Sequence, residues 1–364
     1  MKTRLSTRKF STRFKTNVRA PHLCGAHILL AFIFFALGCG GCAPTPTPPV
    51  ALAALTPTRA PQESPATPTP PSPTPAPLSF NGKHAYDEYL QAQMNFGIRP
   101  AGSVAVRKTG DYIIEQLKQN GWQVETQEFE YRGVPIRNVI GKIRVGQGPL
   151  IILGAHYDTR PRADQDKANP NASVPGANDG ASGVAVLLEL ARTLDKAKLK
   201  NEIWLAFFDA EDNGGLSACA LRVAPQQKPT ALCDTNEWPW SIGAQHVADN
   251  LPTKPEAVIV VDMIGDAQQD IYYEQNSDPA LQEQLWQIAA QLGYRQWFIP
   301  KGRWTMTDDH TPFLQKGIRA VDLIDFDYPY WHTTQDTADK VSAESLERVG
   351  RVLERWVESS AVVQ

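Results

Sequence analysis

Three apolar runs in this chain each end in a knot of acidic or imidazole side chains. They are LIILGAHYDT at 150–159, IWLAFFDAED at 203–212 and AVIVVD at 257–262. Short, fully apolar runs bounded in this way read as strands buried inside a sheet rather than as surface strands. In open α/β sheets ligands gather beyond the carboxyl ends of the strands. These three ends therefore deliver His156, Asp158, Glu211, Asp212 and Asp262 to one edge. Between the first two runs lies GANDGASGVAVLLELAR, in which Val184, Leu187, Leu188, Ala191 and Leu194 recur at helical spacing. A helix thus begins just after Asp179-Gly180 and brings Asp179 to the same edge.

The remaining pattern fits around this frame. Residues 84–95 and 104–120 read as helices, the second stopped by Gly121. Residues 122–131 and 139–145 read as two antiparallel strands at a sheet edge. Residues 281–292 form a helix, 320–324 a last strand, and Leu346, Val349, Leu353 and Trp356 the apolar face of a closing helix. Residues 214–241, with Cys, Pro and Trp, read as a long surface excursion. The expected fold is α/β: a single domain over residues 79–364 with a central mixed, largely parallel, twisted sheet flanked by helices.

The first 78 residues build no core. Residues 1–20 carry seven Lys and Arg and no acid, the apolar run 28–37 follows, and Gly38-Cys39 ends it. This is the pattern of a secretory signal of the lipoprotein kind, or of an uncleaved signal anchor. The run is shorter than the roughly 20 apolar residues of a comfortable span. Segment 1–39 is read as membrane-targeting, and 40–78, rich in Pro and Thr, as an extended stalk. The domain is expected outside the cytoplasm, attached to a membrane through its N-terminal segment. There Cys219 and Cys233, close together in one loop, suit a disulfide. A net charge of -3 gives no sign of a nucleic-acid partner.

His156, Asp179, Asp212, Asp262 and, from the tail, His332 are the donor types zinc takes. Five such ligands with one bridging carboxylate would serve two metals. Taken singly, a strand-end Asp is as readily a turn former as a ligand, and Asp158 is better placed to orient His156 than to bind metal. The pair Glu211-Asp212 is more telling. Two acids at the mouth of an apolar strand repel each other, which a metal would relieve while leaving one acid as a general base. Asp308, Asp309 and His310 form a further cluster, or else cap a helix running to Lys316.

GAHYDT, GANDGASG, DAEDNG, VVDM and HTTQDT resemble the metal-binding motifs of the M28 zinc aminopeptidases. HYDTRPRAD, FFDAEDNGG, TDDHTPFLQKGI and YPYWHT are similar, more closely, to glutaminyl-peptide cyclotransferases, especially bacterial ones related to the animal enzyme. The resemblance runs from about residue 81 onward. It implies one catalytic zinc on Asp179, Asp212 and His332, with Glu211 as proton shuttle and Asp308 and Asp262 in the network opposite it. Trp331 would wall the substrate pocket, with Tyr328 and Trp238 as further candidates. His156 falls where the aminopeptidases bind metal and the animal cyclases do not. Asp212 departs from the Glu usual in animal cyclases, and the loop holding Cys219 and Cys233 looks enlarged, which leaves Trp240 as the alternative to Trp238 in the pocket.

The implied activity is closure of an N-terminal glutamine of a peptide or protein to pyroglutamate with release of ammonia. The rival is a two-zinc aminopeptidase using His156 and Asp262 as further ligands. An inert surface domain that binds peptides is a third reading, disfavoured because unneeded buried carboxylates are costly.

Overall fold

The computed structural model describes residues 79–217 and 236–359. Residues 1–39 and 40–78, read above as a targeting segment and a stalk, and the pair Cys219 and Cys233 lie outside the described residues.

From its start the described chain runs through α1 (Gly82–His84), a wide π-type turn (Ala85–Leu90), α2 (Gln91–Phe96) and α3 (Val104–Gln119). The side chain of Ser103 caps α3 by accepting from the Val106 amide. The hairpin β1 (Gln123–Tyr131) and β2 (Val134–Ile143) follows. Its second strand begins at Val134, earlier than the apolar run at 139 suggested. Arg132 and Gly133 both take positive φ, so a two-residue turn closes the hairpin and pairs Val134 with Tyr131.

The centre is built from β3 (Leu150–His156), β4 (Glu202–Phe208) and β5 (Ala257–Asp262), with α4 (Ala181–Thr193) and α5 (Ile242–Asp249) between them in sequence. Next come β6 (Ile271–Tyr273), α6 (Pro279–Gln291), β7 (Phe298–Gly302), α7 (Thr311–Gln315), β8 (Ala320–Ile324) and α8 (Ala343–Glu358). The six-stranded sheet has the order β1-β2-β4-β3-β5-β8. Its three inner pairings around β3 and β5 are parallel, and the β1 and β2 edge is antiparallel. This is the single α/β domain anticipated. Helix α5 and the small β6–β7 pair were not, because neither carries a long enough periodic run.

Period-2 alternation sorts the sheet into two cores. Ile151, Leu153, Ile203, Leu205, Phe207, Ile259 and Leu323 face one layer with α4 and α8. Ile152, Trp204, Ala206, Val258 and Val260 face the other, with Ala244 and Val247 of α5 and Phe313 of α7. Both faces are covered, which is why these strands lack polar alternation. Helix α8 closes the first layer with Leu346, Val349, Leu353 and Trp356, all fully buried. The register sets the consequence for function: His156 stands opposite Phe208, and Asp262 ends the next strand. Three carboxyl ends thus finish along one edge. No described helix is long and apolar enough to cross a membrane.

Candidate metal centre

His156 ends β3 and turns Nε2 to 3.1 Å from Asp262 Oδ1 and 3.2 Å from Asp179 Oδ1. His332 approaches from the tail with Nε2 3.1 Å from Asp212 Oδ1 and 3.8 Å from Asp179 Oδ2. Two groups, His156-Asp179-Asp262 and Asp179-Asp212-His332, therefore share Asp179, one oxygen turned to each imidazole. All five residues are buried. A third group joins Glu211 to Asp308 and Asp309.

The local backbone explains why neighbours can serve different groups. Ala210 sits at φ 59, a left-handed conformation that breaks β4 and splays Glu211 from Asp212. The two carboxylate oxygens of Asp158 accept from the amides of Glu211 and Asp212, each at 3.1 Å, and fix that turn. Asp158 was expected to orient His156, and its Oδ1 does lie 3.5 Å from Nδ1. Holding the acidic pair is its better-formed role. Met263, Ser241 and His332 itself also take positive φ, at 46, 59 and 54. Four of the six non-glycine residues in this conformation among the described residues thus lie in or beside the site, the usual place for stored backbone strain.

The loop before α4 is held from two sides. Asp336 accepts from the amides of Asn178 and Asp179 at 2.9 and 3.1 Å, and Tyr328 donates its hydroxyl to Asp336 at 2.7 Å. Asn178 donates to the Met263 carbonyl and accepts from Gly265, which ties the loop to the end of β5. Arg99, fully buried, donates to the carbonyls of Tyr157, Pro175 and Gly176, and burial lowers it to about 10. Sequence reasoning missed Arg99, because its partners are backbone carbonyls that no motif marks. Gly180 takes φ 93, and a Cβ there would stand 2.8 Å from His156 Cε1 and 2.9 Å from its carbonyl oxygen. Gly180→Ala is accordingly expected to lower stability by about 1–3 kcal/mol, seen as a lower urea midpoint at unchanged slope.

Electrostatics mark where positive charge is wanted. Burial, then Asp179, pushes Asp212 up to about 6, and burial pushes Asp262 up to about 7 against the pull of His156. Glu211 is driven well above the carboxylate range by burial and then by Asp308, with Asp212 and Asp309 adding to it. Asp309 rises well above it too, by burial and then Asp308. The two metal-like groups differ in one respect. His156 Nε2 and Asp262 Oδ1 form a hydrogen bond. By contrast, Oδ2 of Asp212 and Oδ2 of Asp179 have no hydrogen-bond partner among the described residues, while Asp212 Oδ1 faces His332 Nε2 at 3.1 Å and Arg160 Nη1 at 3.6 Å. Buried carboxylate oxygens without donors are costly, and a divalent cation satisfies them. One imidazole nitrogen with two carboxylates is a donor set that suits zinc with a position left open.

The aromatic residues sort differently from expectation. Trp331 stacks on His332 at 3.9 Å and 27° and meets Phe326 edge-on. Tyr328 is buried, with its hydroxyl spent on Asp336, so it positions the Asp179 loop and does not line an open pocket. Trp238 is also buried, packed edge-on against Tyr131 and with Ile136, Leu216 and Ile242. The indole at the site is Trp240, near parallel to His332 at 6.1 Å and 15°. Trp240 is the alternative that the sequence left open beside Trp238. Gly214 was the available signal, since a Cβ there would fall 2.0 Å from the Trp240 ring.

The comparisons with known proteins agree with this geometry. The family model described as Peptidase family M28 matches residues 138–357. The solved structure of Porphyromonas gingivalis glutaminyl cyclase is 32% identical, with TM-score 0.67, and the match covers 78% of this chain and 99% of that one. A structure described as a leucine aminopeptidase precursor from Bacteroides thetaiotaomicron is 30% identical over 78% of this chain and 98% of that one, with TM-score 0.68. The glutaminyl-peptide cyclotransferase of Boiga irregularis is 25% identical over 70% of this chain and 75% of its own length. Matched by its family model, its fold and its ordered acidic and imidazole motifs, the chain belongs to peptidase family M28.

Proposed function

We propose that this enzyme is a zinc-dependent glutaminyl-peptide cyclotransferase, closing an N-terminal glutamine of peptides or proteins to pyroglutamate and releasing ammonia. The observation that carries this reading is the difference between the two ligand groups. His156 and Asp262 satisfy each other by a hydrogen bond, whereas Asp179 Oδ2 and Asp212 Oδ2, one oxygen from each acid of the other group, are left for a cation. That asymmetry supports one zinc, on Asp179, Asp212 and His332, rather than two.

A zinc ion held there would supply Lewis-acid polarisation of the substrate's γ-amide carbonyl. The chain supplies the rest. The substrate's α-amine and γ-carbonyl belong to one residue, so closure is unimolecular and depends chiefly on orientation. Trp331 and Trp240, both near parallel to the His332 ring, offer flat apolar walls for the glutaminyl side chain. Glu211 accepts the proton released as the α-nitrogen bonds to the γ-carbon. It then delivers that proton to the amide nitrogen, which leaves as ammonia. A base that must also give its proton back benefits from a raised affinity for it, which burial and then Asp308 provide.

The rival, a two-zinc aminopeptidase, draws its support from the grouping of His156, Asp179 and Asp262. His156→Ala separates the two. The cyclase reading expects zinc content, by elemental analysis, to match that of the wild type and glutamine closure to persist. Loss of one of two zinc ions together with all turnover would favour the peptidase. We also place the domain outside the cytoplasm, tethered through residues 1–39 and spaced from a membrane by 40–78, on the basic, apolar and Pro-rich pattern of those segments.

A further inference from the structure

Sequence reasoning gave no role to the loop that follows HYDT, yet its side chains touch both ends of the candidate metal site. Arg160 donates through Nη1 to the carbonyls of Asp212 at 3.0 Å and Gly214 at 2.8 Å. Through Nη2 and Nε it grips Asp164, at 2.7 and 3.3 Å, as a two-point fork. Asp164 Oδ1 in turn lies 3.1 Å from Nδ1 of His332. The guanidinium also sits 4.9 Å over the Trp240 ring, which is itself near parallel to His332. Two further contacts dock the His332 segment on the same loop. The Gln165 amide donates to the His332 carbonyl at 3.3 Å, and the Thr334 amide donates to Asp166 at 3.2 Å.

We infer that Arg160 and Asp164 are positioning residues, a clamp that aligns His332 with Asp212 for the metal and holds Trp240 beside them. The inference rests on the metal site proposed above. Facing a carboxylate, Nδ1 is the nitrogen that keeps the proton, so Nε2 presents its lone pair toward Asp179 and Asp212. The left-handed backbone of His332 has an intrinsic cost, and the loop contacts are what hold it there. Arg160 reaches from the Asp212 carbonyl to the Asp164 carboxylate, so the distance between the two ligands is set by one rigid planar group. A lysine has the charge but not the fork.

The test measures zinc binding by the full chain, by competition with a chromogenic chelator, for the wild type, Asp164→Asn and Arg160→Lys. Both variants are expected to bind zinc about 10–100-fold more weakly. In the zinc-stripped state both are expected to keep the wild-type circular dichroism, with a lowered urea midpoint because the buried fork is weakened. At saturating zinc, Asp164→Asn is expected to regain most of its kcat, whereas Arg160→Lys keeps a raised KM because Trp240 has lost its support. A second signature is the visible spectrum of the cobalt-loaded protein, which should shift in both variants. Wild-type zinc affinity in either folded variant overturns the clamp. A wild type that itself retains no zinc overturns the metal site, and the clamp with it.

Discussion

Glu211→Gln is expected to fold and retain zinc like the wild type while turnover falls by about 10²–10⁴-fold. The expectation comes from how the residue is held. Its amide is fixed by Asp158, its carbonyl accepts from the Ser241 amide at 3.2 Å, and its side chain meets Ser241 Oγ at 3.5 Å. None of these contacts needs a charge on the side chain, so the isosteric amide leaves the β4 turn and its neighbour Asp212 in place. What the amide loses is the ability to take a proton and give it back. It also removes an acid from a crowded group with Asp308 and Asp309, so stability should hold or rise slightly. Zinc content, thermal midpoint and steady-state turnover check the three parts separately. Near-normal turnover would mean that the proton travels by another route.

Asp179→Asn is expected to have the opposite profile, with loss of the metal and, through it, of the activity. Asp179 is the residue common to both ligand groups, with Oδ1 toward His156 and Oδ2 toward His332. Its backbone is anchored by Asp336, so the substituted side chain would stay in the same place with a neutral amide. Burial would raise Asp179, but His156, and less directly His332, outweigh it and hold it below the ordinary range. Removing that charge leaves two buried imidazoles short of a counter-charge. Outer-shell partners of a metal typically matter about 10–100-fold in affinity, so loss of a direct ligand should exceed that. Metal analysis after gel filtration and the turnover of the eluted protein are the readouts. Zinc retained at the wild-type level, with activity, would remove Asp179 from the ligand set.

How much of this was legible beforehand depended on the kind of signal each residue leaves. The inner strands were readable because residues 150–155, 203–208 and 257–261 are apolar without a break, and burial on both faces demands that. The residues that end them were readable for the same reason, since a polar group at the mouth of a buried strand has few bland explanations when three such strands align. Arg160, Asp164, Arg99 and Asp336 were not. Apart from the local pair Arg160-Asp164, their partners are backbone groups or side chains well along the chain, and no periodicity encodes such a contact. Tyr328 and Trp238 show the converse problem. The family resemblance implied that they wall the pocket, but one hydroxyl is committed to Asp336 and the other ring fills a core behind the site. The left-handed positions Ala210, Met263 and His332 were also silent, because strain at a non-glycine residue leaves no trace in its identity.

The measurement that bears most directly on the central reading is mass spectrometry of a glutamine-initiated peptide incubated with the zinc-loaded enzyme. The account predicts a product that keeps every residue and has lost only the mass of ammonia, with no such change for the same peptide begun with alanine. A product shortened by its first residue, from either peptide, would contradict it and leave the enzyme an aminopeptidase.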